Sequence, residues 1–375
     1  MGALSNIEIT TLVLFVFGFV LLIGGGEILV RGASRLAVSM GISPLVVGLT
    51  VVAFCTSAPE LAVSIQAAVA GQGDLAVGNV IGSNISNILL ILGIAALIAP
   101  VVIKQQLIIV DVPLMIIASL LMWVFALDGV VSPLEGALLF IGILGYILFA
   151  MAQSRREQRS VKAQYSDTYA PPARSSTPLW VSLSQVIIGV SLLVIGANWL
   201  VDGAVAVAKA LGVGELIIGL TVIAVGTSLP ELATSVIASA RGERDIAAGN
   251  VIGSCIFNIL GVLGATALLA PNGVAVPATA ISFDLPIMVA TAVACLPIFF
   301  SGNRISRGKG ALFVGYYLAY VAYVVLAAIQ HPALNILSTV ALWFAIPLTI
   351  ITLLTLFFRQ LRANRLARAA PENAT

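Results

Sequence analysis

Two copies of one short pattern carry most of the polar chemistry in this chain: Thr56, Ser57, Pro59 and Glu60, and again Thr227, Ser228, Pro230 and Glu231. Each copy is followed by a serine and an asparagine four residues apart, Ser83 with Asn87 and Ser254 with Asn258. At helical spacing Thr56 shares a face with Glu60, and Ser57 lies one turn before it. A proline inside a helix removes one backbone bond and clashes with the carbonyl four residues back, here near Cys55 and Gly226. In a membrane such freed carbonyls must meet water, side chains or an ion. Together the copies offer two carboxylates, several hydroxyls, two amide oxygens and freed carbonyls, with no Cys or His matched between them. All-oxygen sets suit hard cations such as Ca²⁺, which takes about six to eight oxygens, or Na⁺; they do not suit zinc or copper. Two ionised glutamates about 4 Å apart repel by about 4 kcal/mol at an effective dielectric near 20. One divalent cation, two monovalent cations or two protons would neutralise them, which predicts that only loaded states cross a membrane and that exchange is obligatory.

The surrounding chain supplies the membrane. Of 375 residues 60% are hydrophobic and 9% charged, against about 25% charged in ordinary globular domains. Eleven apolar runs approach the roughly 20 residues a spanning helix needs. They cover about 8–30, 43–70, 75–98, 106–126, 133–151, 179–201, 214–240, 246–269, 278–300, 310–330 and 333–358. An all-α membrane protein is predicted. The first run contains Glu27 and lacks a basic leader and a small-residue cleavage site, so it reads as a helix and not a secretory signal. Cys55, Cys255 and Cys295 lie in apolar runs and are odd in number, so no disulfide framework follows. The single histidine, His331, cannot build a histidine metal site. A net charge of +2 gives no reason to expect a nucleic-acid partner.

Residues 48–100 align without a gap on 219–271, with 32 of 53 positions identical. Hydrophobic composition alone does not match Thr, Ser, Pro and Glu, nor Asn79, Ser83 and Asn87 with Asn250, Ser254 and Asn258. The copies begin five helices apart, and five is odd, so the second must lie upside down relative to the first. Inverted repeats with interrupted helices in matching places point to a secondary transporter with its site at the membrane midplane. The predicted plan is two inverted five-helix repeats plus an eleventh helix. Residues 1–151 form the first repeat, 152–178 a flexible cytoplasmic linker, 179–330 the second repeat, and 331–375 the extra helix with a basic tail. With the amino terminus outside and eleven crossings, seventeen of the 18 Lys and Arg fall on the inner side, Lys209 being the exception. Cytoplasmic loops favour Lys and Arg, which places the carboxyl terminus in the cytoplasm.

Other polar residues have plainer readings. Gly78 with Gly82, and Gly249 with Gly253, are small-residue pairs that let helices pack closely. Asp74 and Asp245 stand where helices begin and read as N-caps. Asn79 and Asn250 serve as packing hydrogen-bonders or as outer partners of the ligands. Glu27, four before Arg31, reads as an interfacial ion pair. Asp111 and Asp284, each two before a proline, are carboxylates with no obvious partner and candidates for gating or proton handling.

The motifs "GLTVVAFCTSAPEL" with "GNVIGSNISN", and "GLTVIAVGTSLPEL" with "GNVIGSCIFN", resemble those of the calcium/cation antiporter superfamily, specifically the prokaryotic sodium/calcium exchangers with two inverted alpha-repeats. The resemblance covers the ten helices of the two halves. It implies a mid-membrane diamond of four cation sites, one selective for Ca²⁺ and the others for Na⁺. Glu60 and Glu231 match the glutamates of that site, with Thr56, Ser57, Thr227 and Ser228 as hydroxyl neighbours. Ala53 and Ala224 match carbonyl ligands, and Ser83, Asn87, Ser254 and Asn258 match ligands from the following helices. It also implies alternating access by sliding of the first helix of each half, 8–30 and 179–201, and "LLIGGGEIL" gives the first a glycine-rich place to bend. Some relatives carry Asp where this chain has Asn258, so the formal charge here is −2 instead of −3. The expected activity is antiport of Ca²⁺ against Na⁺ across the plasma or inner membrane, without a cofactor; a Ca²⁺/H⁺ exchanger is the alternative. A channel lacks its filter loop here, and an enzyme its metal-protease or nucleophile motif.

Overall fold

The computed structural model describes residues 9–165, 178–218, 221–222 and 224–347, with 349, 351, 352 and 355 beyond them. Nearly all of these are helical. In chain order the helices are α1 (Ile9–Met40), α2 (Pro44–Thr56), α3 (Ala58–Val69), α4 (Gly73–Ile98), α5 (Leu107–Asp128), α6 (Pro133–Tyr165), α7 (Leu179–Ala210), α8 (Glu215–Ile218), α9 (Ala224–Gly226), α10 (Leu229–Ala240), α11 (Arg244–Leu269), α12 (Ala280–Phe300), α13 (Arg307–Ala328) and α14 (Ala333–Trp343). Among the described residues eight helices are long and apolar enough to cross a membrane, and α2 with α3 makes a ninth span bent by 44°. The seventh expected span breaks at Ser228, before α10; α8 and α9 are its described stretches ahead of that break, with 219, 220 and 223 outside the described residues. The eleventh opens with α14; the basic tail beyond 355 lies outside them.

The equivalent helices α1 and α7 pack on each other along their length through glycines. A Cβ added at Gly18 would lie 2.8 Å from Gly196 O, and one at Gly25 would lie 2.8 Å from Gly189 O. As numbers rise along α1 they fall along α7, so the two run antiparallel, which is how inverted repeats place matching helices. Helix α1 runs unbroken through Gly24, Gly25 and Gly26. At Gly25, packing against the α7 backbone offsets the roughly 1 kcal/mol that glycine loses in a helix, and α1 continues past residue 30 until Gly41 turns at φ +62°.

The core is built on α11 and α4, whose most apolar stretches are 89% and 72% buried, against 11% for α13. Gly249 and Gly253 bring α11 against α2 so closely that a Cβ would sit 2.6 Å from Leu45 O and 2.5 Å from Leu49 O, respectively. This is the close packing expected of that pair. Gly78 and Gly82 make no such approach among the described residues.

Loops predicted to share a side meet. β1 (Val101–Val102) pairs antiparallel with β4 (Arg304–Ile305), and β2 (Val130–Val131) with β3 (Val274–Ala275). These two-residue ladders were not foreseen in an all-helical plan. Lys104 and Asp245 form an ion pair at 2.6 Å, while Glu27 pairs with Arg31 at 2.6 Å and also with Arg241 of the second repeat. Asp74 and Asp245 are not N-caps: Gln72 and Glu243 occupy that position, and the aspartates sit in the first turn, where a carboxylate still meets the positive end of the helix dipole.

The expected linker is corrected at its start. Helix α6 runs through Tyr165, because "AQSRREQRSVKAQ" is rich in strong helix formers and holds no Gly or Pro. Residues 166–177, including the proline pair, lie outside the described residues.

Candidate functional site

The site begins with the two broken spans. Ser57 (φ −83°, ψ 5°) and Ser228 (φ −88°, ψ 6°) leave helical geometry between half-helices, and Pro59 and Pro230 fall in the first turn of the next half. A first-turn proline has no bond to lose, so the break lies just before the proline instead of at it. The opening turns each serine toward the opposite repeat.

There the contacts cross. Ser57 Oγ donates to Glu231 Oε1 at 3.2 Å, and Ser228 Oγ donates to Glu60 Oε1 at 3.5 Å. Each glutamate is therefore held by the serine three residues before the other. Both carboxylates are fully buried, at 0% exposure, and in each the second oxygen, Oε2, has no hydrogen-bond partner among the described residues. Two acceptor oxygens buried without donors, on carboxylates each held by the opposite repeat, fit a bound cation and leave the protein alone strained.

Ser83 Oγ lies 3.4 Å from Ser228 Oγ, and Ser254 Oγ lies 3.5 Å from Thr56 Oγ1. Thr56, Ser57, Ser83, Ser228 and Ser254 are all buried, and Thr227 is half-buried. Ala53 is buried, and its carbonyl accepts Ser57 N–H at 2.9 Å and Thr56 Oγ1–H at 3.4 Å. Ala224 lies in the described helical stretch Ala224–Gly226, just ahead of the break at Ser228.

Asn87 and Asn258 are also buried, each in a wide π-helical turn within α4 or α11 (Asn87–Ile91 and Phe257–Leu263). Such turns occur often at functional sites. Asn87 Oδ1 and Asn258 Oδ1 are further buried acceptors without a partner among the described residues.

Asn79 and Asn250 join the repeats. Asn250 Nδ2 donates to Ser235 Oγ at 3.0 Å and Glu231 O at 3.4 Å, while its Oδ1 accepts from Thr56 of the other repeat at 3.1 Å. Asn79 mirrors this with Ser64 Oγ at 2.9 Å, Glu60 O at 3.2 Å and Thr227 at 3.5 Å. Of the two readings left open for these asparagines, outer partners of the ligands fits the geometry. Ser64 and Ser235 were missed, although both are identical between the copies. Asn84, which touches Asn258, carried no repeat signal because Cys255 is its counterpart.

Asp111 and Asp284 have partners after all. Tyr146 Oη donates to Asp111 Oδ1 at 2.9 Å, and Tyr320 Oη donates to Asp284 Oδ1 at 3.0 Å. Each aspartate ends a π-helical turn just before the proline-bearing part of its helix. The tyrosines lie beyond the gapless stretch of the alignment, so their equivalence was hidden. Tyr146→Phe is expected to lower thermal stability by about 1–3 kcal/mol, the cost of leaving a buried carboxylate oxygen without its donor. Thermal unfolding followed in detergent checks this, and an unchanged midpoint would show that the contact contributes nothing.

A sequence model described as sodium/calcium exchanger protein matches residues 10–152 and 181–326. The chain is 40% identical over 314 residues to the putative antiporter CaxA of Alkalimonas amylolytica, covering 82% of this chain and 95% of that protein. It is 36% identical over 319 residues to inner membrane protein YrbG of Escherichia coli, covering 82% and 95%. It is 32% identical over 346 residues to the sodium/calcium exchanger MaX1 of Methanosarcina acetivorans, covering 82% and 96%. Its fold matches the sodium-calcium exchanger NCX_Mj, solved after soaking with Na⁺ and Ca²⁺, with a TM-score of 0.72 and 30% identity, covering 84% of this chain and 99% of that one. Helices, repeats and crossed serine–glutamate contacts thus belong to a multi-pass cation antiporter, a transporter and not an enzyme: the chain is a member of the sodium/calcium exchanger family.

Proposed function

We propose that the chain exchanges Ca²⁺ for Na⁺ by alternating access, at a midplane site built on Glu60 and Glu231. The supporting observation is the pair of buried carboxylates, each anchored through one oxygen by the opposite repeat and each with the other oxygen unpartnered. Ser57, Ser228, Thr56, Thr227, Ser83 and Ser254 supply hydroxyl oxygens around the cation; Asn87 and Asn258 supply amide oxygens from the π-helical turns. Ala53 and Ala224 complete the set through their carbonyls. Neutralising two buried like charges requires a cation on each crossing, which couples uptake of one ion to release of the other. The excess of basic residues on one side of the eleven crossings supports an outside amino terminus and a cytoplasmic carboxyl terminus in the plasma or inner membrane.

A Ca²⁺/H⁺ exchanger is the second reading, and Asn258 is what favours it. With an amide there the site carries two formal negative charges, which two protons balance as well as one Ca²⁺ does. Reconstituted vesicles in which Na⁺ and pH gradients are varied independently separate the two. The first reading predicts ⁴⁵Ca²⁺ uptake driven by an outward Na⁺ gradient at fixed pH. Uptake that ignores Na⁺ and follows the proton gradient would replace it with the second.

A further inference from the structure

Asn258 stands in a chain of three buried side chains from three helices, and that chain decides which end of its amide is left unpaired. Asn258 Nδ2 on α11 donates to Asn84 Oδ1 on α4 at 3.3 Å, and Asn84 Nδ2 donates to Met288 Sδ on α12 at 3.5 Å. All three residues are at most 2% exposed. A thioether sulfur accepts and has no hydrogen to give. Met288 therefore selects the Asn84 orientation with nitrogen toward sulfur and oxygen toward Asn258. An amide oxygen also only accepts, so Asn258 must turn its nitrogen to Asn84. Its own Oδ1 is left on the other side, buried and without a partner among the described residues.

We propose that Asn84 is a positioning residue for cation binding: it locks the Asn258 amide so that the oxygen, and not the N–H pair, is presented to the bound cation. A flipped amide would set two partly positive hydrogens where the cation needs a ligand. The device works on one side only. In the repeat alignment Asn84 faces Cys255, and a thiol offers only a weak donor and a weak acceptor, so the two amide positions of the pseudo-symmetric site are not equivalent. The inference rests on reading Asn258 as part of the cation site.

The test is titration of Ca²⁺ into the purified full-length chain in detergent. Asn84→Ala should raise the Kd by about tenfold or more, as loss of a residue that orients a ligand does at other metal sites. Met288→Leu keeps the volume and removes only the acceptor. With Asn84 then free to take either orientation, the Kd should rise by about twofold or more, since apparent affinity falls with the competent fraction. This milder variant carries the test if Asn84→Ala does not fold. The decisive comparison uses Asn258→Asp. A carboxylate presents an oxygen in either orientation, so in that background Asn84→Ala should change the Kd by less than about twofold. An equal loss from Asn84→Ala in both backgrounds would overturn the positioning role, and so would a rise with Asn258→Ala but none with Asn84→Ala or Met288→Leu; both outcomes leave the site itself standing. An unchanged Kd with Asn258→Ala would instead remove Asn258 from the site, and the inference with it.

Discussion

Glu60→Gln and Glu231→Gln should each abolish Ca²⁺ transport while making the cation-free protein more resistant to heat. Glutamine preserves shape and can still accept from Ser228 or Ser57 through its amide oxygen, so the crossed contacts survive. The charge does not. Ca²⁺ and one carboxylate about 4 Å apart at an effective dielectric near 20 attract by about 8 kcal/mol, twice the figure for two unit charges, and losing that attraction weakens binding by about a millionfold. The same substitution removes the repulsion between the two buried carboxylates, so the empty protein gains what the loaded one loses. Thermal unfolding with and without Ca²⁺ reads both effects. The native chain should gain stability with Ca²⁺, by about 2.7 kcal/mol at a hundred times its Kd, and the glutamine variants should start higher and show no gain. A glutamine variant that retains the full Ca²⁺-dependent shift would place the cation elsewhere.

Gly253→Ala should be the most damaging single-methyl change in the core. The added Cβ would lie 2.5 Å from Leu49 O and 2.7 Å from Leu49 Cα, and these are backbone atoms with no rotamer to yield. Helices α11 and α2 must separate, and α2 carries Thr56 and the break at Ser57, so the displacement reaches the site directly. Overpacking in a rigid core costs about 1–3 kcal/mol and sometimes more; this contact belongs at the upper end. Gly145→Ala on the exposed face of α6 is the control, because nothing among the described residues lies within 4 Å of the new atom, and alanine is the better helix former by about 1 kcal/mol. Folded yield and unfolding midpoint should fall sharply for the first and hold or rise for the second. Comparable yields and midpoints for both would mean that the α2–α11 crossing is looser than these distances imply.

How far the sequence led depends on which residues repeat. Thr56, Ser57, Pro59 and Glu60 recur in the second half at a spacing that chance does not produce, and that recurrence predicted the interrupted spans and the meeting of the two halves. Helix positions followed from hydropathy, because lipid permits so few alternatives. Ends of helices did not follow: α1 passes residue 30 because Ala33, Leu36 and Ala37 are buried in the core, and α6 passes residue 151 because strong helix formers continue it where hydropathy has already fallen. The bond from Ser57 to Glu231, and not to its own Glu60, depends on backbone angles that a helical-face argument does not contain. The π-helical turns at Asn87 and Asn258 leave no composition signal. Asn84 escaped notice because its counterpart in the other repeat is Cys255. Tyr146 and Tyr320 escaped because insertions between the repeats shift their register.

The central claim is that a cation sits between Glu60 and Glu231, and heavy-cation diffraction tests it most directly. Crystals of the full-length chain soaked in Sr²⁺, which substitutes for Ca²⁺ and scatters anomalously, should show their strongest anomalous peak within about 2.3–2.6 Å of oxygens from both carboxylates, the range typical of Ca²⁺ ligands. The peak should vanish when Na⁺ is raised enough to displace it. An anomalous peak bound by neither glutamate, or none at saturating Sr²⁺, would contradict the account.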